Sequence, residues 1–307
     1  MISRKNLESL EYNMADNKQI VLGRLVVSYG AGVPGGHIPV LLNEVITLLN
    51  PQPGEFFIDG TAGAGGHSRA MKEKIGADGR LLAIDWDKTG ENYADLAEIL
   101  AVKKIGQADG LLLDLGFSSE QLGNGRGFSF QKDEPLLMTY DSKQKPVREL
   151  LNELSEQWLA DIIKNYGEER YAKPIAAAIK NRARKAPIET TGELADVIRL
   201  AVPKSYERGR LHPATRTFQA LRIYANHELE NLEQVLKDLP KILKPGGRIG
   251  IISFHSLEDR IVKNFFRDAA KAGTLKLITK KAVQATRGEA LANPRSRSAK
   301  LRVAQLI

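Results

Sequence analysis

Three short apolar runs, each closing on an aspartate, constrain this chain more than any other feature: Glu55-Phe-Phe-Ile-Asp59, Arg80-Leu-Leu-Ala-Ile-Asp85 and Gly110-Leu-Leu-Leu-Asp114. They are too short for buried helices and lack the polar alternation of a strand with one wet face. Strands covered on both faces read this way, and they need helices above and below a parallel sheet. Helical segments fall around them. His37 to Leu49 brings Val40, Leu41, Val45, Leu48 and Leu49 to one side, and His67 to Ile75 follows the first run. The expectation is an α/β fold with its ligand at the carboxyl edge of the sheet, where the three aspartates would stand.

Asp59-Gly-Thr-Ala-Gly-Ala-Gly-Gly66 links the first run to the next helix. Glycines let a backbone approach a ligand closely, and a helix start offers free N–H groups. As a dinucleotide loop, Gly63-Ala-Gly65-Gly-His-Ser68 fails at its last position. Gly-Lys-Ser/Thr is absent, against a P-loop nucleotidase. Asp85 lies about 20 residues beyond the glycines, where a carboxylate accepts ribose hydroxyls. A nucleoside-cofactor site is therefore expected; a tight turn and helix caps are the plainer alternatives.

Residues 1–36 read as an appendage ending in the glycine-rich Tyr29 to Gly36. From Lys145 to about Val202 the pattern is helical, with Leu150, Leu151, Leu154, Trp158, Ile162 and Ile163 at helical spacing and no strand-like run. A helix over Thr217 to Leu239, a strand ending at His255, a helix over Leu257 to Ala272 and a strand pair around Leu275–Thr279 and Lys300–Gln305 complete the expectation. Residues 37–120 and 206–307 would form the sheet domain, and 121–205 an inserted helical, substrate-recognising subdomain.

The formal net charge is +8, and basic residues gather in Lys180-Asn-Arg-Ala-Arg-Lys185, Arg208-Gly-Arg210, Lys280-Lys281 and Arg295-Ser-Arg-Ser-Ala-Lys300. Any one cluster is explained by a solvated helix face; several in one half of the chain point to a nucleic acid. No cysteine is present, which excludes disulfides, thiolate metal sites and the thiolate used to methylate pyrimidine carbon-5. The charged start lacks a signal-peptide core, and no apolar run reaches about 18 residues. A cytoplasmic protein without membrane contact is expected.

Seven blocks in order extend the motif: Asp59–Ser68, Leu112-Leu-Asp-Leu-Gly-Phe-Ser-Ser119, Arg126-Gly-Phe-Ser-Phe130, Tyr166-Gly-Glu-Glu-Arg170, His212-Pro-Ala-Thr-Arg-Thr-Phe-Gln219, Ile252-Ser-Phe-His-Ser-Leu-Glu-Asp-Arg260 and Asn293-Pro-Arg-Ser-Arg-Ser298. Together, from about His37 to Ile307, they resemble the bacterial 16S rRNA cytosine-N4 methyltransferase family. The resemblance implies a Rossmann-like class I methyltransferase sheet with an inserted all-helical subdomain, S-adenosylmethionine as cofactor, and methylation of a cytidine in the decoding centre of the small ribosomal subunit. It places Gly65, Gly66, His67, Asp85, Asp114 and Gln121 on cofactor positions, and Tyr93 where the family usually has a cofactor-contacting Phe. A homodimer is left open. The rivals are methylation of another RNA base, an RNA-binding small-subunit assembly factor without catalysis, and an NAD-dependent oxidoreductase.

Two departures from the family pattern stand out. About 15–20 residues carrying a helix and an edge strand are absent after Asp85, a loss a sheet edge can bear, though it would open the adenine side of the site. Pro135-Leu-Leu-Met-Thr-Tyr-Asp141 replaces a run resembling Asp-Met-Arg-Met-Asp, so one acid and one Arg are absent near the expected substrate entrance.

Cytosine N4 is a weak nucleophile, so an acceptor beside it must localise its lone pair and take its proton. Asp114 is the first candidate, with Ser118 and Ser119 beside it; its alternative role is to hold the amino-acid end of the cofactor. His255 is the second, as a polar contact or proton acceptor. Phe117, Phe128 and Phe254 are either base-stacking rings or core. Arg170, Arg216, Arg295 and Arg297, with Lys173, are the expected RNA contacts, and no metal site is expected.

Overall fold

The computed structural model describes residues 38–116, 125–208 and 212–307. The appendage, His37, Phe117, Ser118, Ser119, Gln121 and the Arg210 end of one basic cluster lie outside them.

The chain runs through α1 (Leu42–Leu49), β1 (Phe56–Asp59), α2 (Gly66–Ile75), β2 (Arg80–Ala83), α3 (Trp86–Thr89), α4 (Leu96–Lys103) and β3 (Ala108–Asp114). A helical stretch follows: α5 (Val147–Glu153), α6 (Glu156–Gly167), α7 (Ala172–Lys185), α8 (Thr191–Ala201) and α9 (Thr215–Asn226). Then come α10 (Glu228–Lys237), α11 (Leu239–Ile242), β4 (Leu243–Ser253), α12 (Ser256–Lys271), β5 (Leu275–Leu277), β6 (Val283–Gln284), α13 (Arg287–Ala292) and β7 (Lys300–Leu306).

The sheet order is β2-β1-β3-β4-β7-β5, with β6 on β7. The first four strands are parallel, while β7 runs antiparallel to β4, β5 and β6. Alternate residues feed opposite faces, as period-two geometry requires. Phe56, Ile58, Leu111 and Leu113 pack with α4, α10 and α12; Phe57, Leu81 and Leu112 pack with α1 and α2. Both faces are dry, which is why the runs lack polar alternation. The order reverses between β1 and β3, and a cleft opens beyond the carboxyl ends of strands at such a switch point. β2 is the outermost strand on its side, in keeping with the expected loss of an edge strand.

A separate apolar cluster holds the helical unit together. It runs from Phe128 and Leu136 through Leu159, Ile175 and Leu194 to Phe218, Leu221 and Ala225, so α9 packs with the inserted helices. A capping box of Thr190 and Glu193 starts α8.

Several details differ from the sequence expectation. The first helix begins at Leu42, after Leu41 in the left-handed region (φ 54°). The expected helix over Thr217 to Leu239 is broken at His227, also left-handed (φ 52°), which separates α9 from α10. Trp158 lies 53% exposed on α6, because the buried stripe of that helix runs through Leu159, Ile162 and Ile163. Phe128 and Phe218 belong to the helical core.

Candidate active site

Asp59 closes β1 and is buried. Its carboxylate accepts the Ser68 hydroxyl at 2.5 Å and the Thr61 N–H at 3.2 Å. Burial raises its pKa above the ordinary carboxylate range, against the opposing pull of those bonds. It therefore shapes the glycine loop from beneath. Within that loop Gly65 takes φ 78°, a conformation glycine adopts without strain, and immediately precedes α2. Gly66 presses on Pro39: a Cβ there would lie 2.3 Å from Pro39 Cγ.

Asp85, at the end of the second run, uses both carboxylate oxygens. One accepts the Gly63 N–H at 2.9 Å, and the other accepts the N–H groups of Asp87 and Lys88 at 3.0 and 3.1 Å, capping α3. The residue is thus both helix cap and cleft wall. Asp114, at the end of β3, is fixed through its N–H, which donates to Thr61 Oγ1 at 2.6 Å. Its carboxylate lies 3.6 Å from His67 Nδ1. His67 is buried and its Nε2 lies 2.9 Å from the Val40 carbonyl. A carbonyl only accepts, so Nε2 carries a proton, and Nδ1 is the ring atom that faces the Asp114 carboxylate.

These groups border a two-chambered cleft. The larger chamber, about 710 Å³ open to solvent, is reached by Gly60, Asp85, Trp86, Tyr93, Tyr140 and Glu258, among others. The smaller, about 490 Å³, is walled by Pro39, Val40, Gly66, His67 and Phe254. Thr61, Gly63, Asp114 and Gly116 border both. Asp114 therefore stands at the boundary between them.

Tyr93 lines the larger chamber. Burial, then the charges of Glu228 and Glu258, push its phenol well above its ordinary range. Glu228 is clasped by Arg222, with Nε and Nη2 each donating to it at 2.8 Å. His255 stands just outside the chambers. Its Nδ1 lies 3.4 Å from the Glu258 N–H and the pair forms a capping box that starts α12. Its Nε2 is 3.1 Å from Glu258 Oε1. Gln121 lies outside the described residues. Gly65 shapes the loop without itself lining either chamber.

The four arginines do not share one fate. Arg170 is exposed, its guanidinium 4.7 Å from the Tyr171 ring. Arg216 donates to the Glu168 carbonyl at 2.6 Å. Arg297 is exposed, with Nε 3.2 Å from the Ala290 carbonyl. Arg295 and Arg297 occupy a 3-10 turn, Pro294–Ser298. That segment is pinned to the wall of the smaller chamber, since Asn293 donates to the Ile38 carbonyl at 3.0 Å and Glu289 accepts the Leu41 N–H at 2.7 Å. Among the described residues, one group has metal-ligand spacing, Glu228, His255 and Glu258. Its carboxylates are already engaged by Arg222 and by the Phe254 and His255 N–H groups.

Sequence reasoning missed Trp86, Tyr140, Glu228 and Glu258. Trp86 follows Asp85 directly and carried a local signal. The other three reach the cleft from elements far along the chain.

The charge of the larger chamber discriminates between cofactors. Asp85, Asp87, Asp114, Glu228 and Glu258 line it, Asp87 paired with Arg126 and Glu228 with Arg222, and none of the described lining residues is lysine or arginine. Net of those two arginine pairs the lining stays acidic, which favours a sulfonium cation over a pyrophosphate there. The glycine loop, the switch-point position and this charge fit S-adenosylmethionine, and the fold is that of the class I S-adenosylmethionine-dependent methyltransferases.

Comparison with known proteins carries this further. Residues 35–91 and 88–307 match the MraW methylase family. Ribosomal RNA small subunit methyltransferase H of Syntrophus aciditrophicus (strain SB) is 45% identical over 307 residues, covering 88% of this chain and 98% of that protein. The protein of the same name from Geotalea uraniireducens (strain Rf4) is 48% identical with the same coverage. The chain belongs to the MraW methylase family. Its two matched segments meet at residues 88–91, where the sequence places the shortening after Asp85.

Proposed function

We propose that this chain transfers a methyl group from S-adenosylmethionine to the N4 amino group of a cytidine in 16S rRNA of the small ribosomal subunit. Membership of a family whose relatives are named for small-subunit rRNA methylation carries this reading, joined to an acidic cleft at the switch point of the sheet. That open cleft favours catalysis over an assembly role.

Bound along the cleft, S-adenosylmethionine would supply an electrophilic methyl group. The chain supplies position and a base. Asp85 holds Gly63, and Asp59 holds Ser68 and Thr61, so the glycine loop is ordered in advance. Asp114, at the boundary of the chambers, receives the proton that the exocyclic amine releases. His67 Nδ1 stands 3.6 Å behind that carboxylate, on the wall of the smaller chamber. Phe254, on the smaller chamber, offers a ring to the incoming base. Arg170, Arg216, Arg295 and Arg297 contact RNA phosphates, and the inserted helical unit recognises the substrate.

The test is methylation of unmodified small subunits by the purified protein with methyl-labelled S-adenosylmethionine, followed by nucleoside mass spectrometry. Label in N4-methylcytidine is the expected result. Saturable cofactor binding with label on another base, or on none, would overturn the assignment.

A further inference from the structure

The two places where the sequence leaves its family pattern meet in space. Trp86 stands beside the shortened segment, and Tyr140 belongs to the divergent Pro135–Asp141 run. Their ring centroids lie 5.4 Å apart at 41°, and both rings line the larger chamber. Phe128 stacks behind Tyr140 at 5.2 Å.

Tyr140 is held from several sides. Its N–H donates to Asn226 Oδ1 at 2.9 Å, and its carbonyl accepts Arg126 Nη1 at 3.1 Å. Its hydroxyl lies 3.3 Å from Glu228 Oε1. Arg126 also pairs with Asp87, one residue beyond Trp86. A loop of the helical unit is thus fastened to the open edge of the sheet, beside β2.

The place of these rings in the cleft identifies what they face. Of the expected cofactor residues, Gly66 and His67 wall the smaller chamber, while Asp85 and Tyr93 line the larger, on either side of the shared Asp114. Trp86 and Tyr140 border the larger chamber alone, with Asp85, whose place at the end of its strand suits a ribose, so the rings stand at the nucleoside end of the cleft. We infer that Tyr140, supplied by the inserted helical unit, forms with Trp86 the aromatic wall that holds the adenosyl group, replacing the wall that the missing edge segment would have supplied. This rests on the cofactor reading given above. Its consequence is that cofactor affinity depends on docking of the helical unit, because the same loop carries Tyr140 and Arg126.

Calorimetric titration of the full chain with S-adenosylhomocysteine tests it, using Tyr140→Ala, Tyr140→Leu and Tyr140→Phe. Affinity is expected to fall about tenfold or more for Ala and Leu, the worth of one base–aromatic stack, and to be largely restored by Phe. Leu keeps bulk in the apolar packing, so a weakened Leu variant reports the ring and not a collapsed loop. The chain has two tryptophans, and a Trp158→Phe background leaves Trp86 as the single fluorescent reporter; ligand should change its emission with the same midpoint as the heat signal. Equal affinity in all three variants, or a Trp86 signal blind to ligand, would overturn the inference while leaving the methyltransferase reading intact. Absence of binding by the wild type would overturn both.

Discussion

His67 joins two parts of the cleft: Nε2 lies 2.9 Å from the Val40 carbonyl and Nδ1 3.6 Å from the Asp114 carboxylate. The ring orientation is therefore set from the wall of the smaller chamber, while Nδ1 faces the boundary with the larger one. Asp114→Asn keeps the shape and removes the base. We expect kcat to fall by about 10²–10⁴, the usual worth of a positioned proton acceptor, with a much smaller change in cofactor affinity. Single-turnover methyl transfer alongside S-adenosylhomocysteine titration separates the two. If affinity collapses while the single-turnover rate survives, Asp114 holds the cofactor and is not the base.

Gly66→Ala probes the same wall from below. The new methyl would meet Pro39 Cγ at 2.3 Å, and a rigid ring has no rotamer in which to retreat. Pro39 and Val40 must shift, taking the carbonyl that orients His67 with them. Overpacking of this kind costs about 1–3 kcal/mol. The melting temperature should fall, and methyl transfer should fall further than cofactor binding. Unchanged kinetics in a folded variant would show that the 39–40 segment does not transmit to the site.

The sheet was legible because its strands are dry on both faces and each ends in an acid, so pattern and ligand edge coincided in a few residues. The glycine loop and Asp85 followed from the same logic. The break at His227 was not legible: neither glycine nor proline marks it, and the histidine adopts the left-handed conformation within a continuous helical pattern. Nor did spacing reveal that Trp158 is exposed, since it borders the apolar stripe of α6 in sequence. His255 begins His-Ser-Leu-Glu, the spacing of a capping box, a signal outweighed by its place at a strand end. Tyr140, Glu228 and Glu258 reach the cleft only through tertiary packing, and no local pattern encodes that.

Asp259 ties α12 to β7 and gives an acid-dependent contribution to stability. Arg302 Nε donates to one carboxylate oxygen at 2.8 Å and Lys300 Nζ to the other at 3.2 Å. Burial alone would raise its pKa; the hydrogen bonds and charges of Arg302 and Lys300 outweigh it and hold the carboxyl below the ordinary range. A depressed carboxylate stabilises the fold above its unfolded pKa, about 3.9, and loses that contribution as pH falls through the lower folded value. Asp259→Asn should therefore cost about 1–3 kcal/mol at neutral pH, and the gap to wild type should close below about pH 4. Denaturant melts at several pH values measure it; a gap independent of pH would mean that packing and not charge is removed.

Arg170 and Arg297 differ from Arg216 in what their removal should report. Arg216 anchors the Glu168 carbonyl at the end of α6, and Glu168 in turn accepts the Ser256 hydroxyl and Arg260 Nη2 at 2.5 and 2.8 Å. Its removal would loosen the helical unit against α12 as well as delete a charge. Arg170 and Arg297 are exposed, their contacts to the Tyr171 ring and the Ala290 carbonyl lying at the surface, so their alanine variants should lower RNA affinity at a smaller stability cost than Arg216→Ala. Deleting one phosphate-pairing charge should reduce the slope of log affinity against log salt by about 0.7–0.9. Binding of small subunits measured across a salt series, with thermal melts in parallel, is the check. A slope identical to wild type in both variants would remove these two side chains from the RNA surface, and a lowered melting temperature confined to Arg216→Ala would mark that residue as a structural tie.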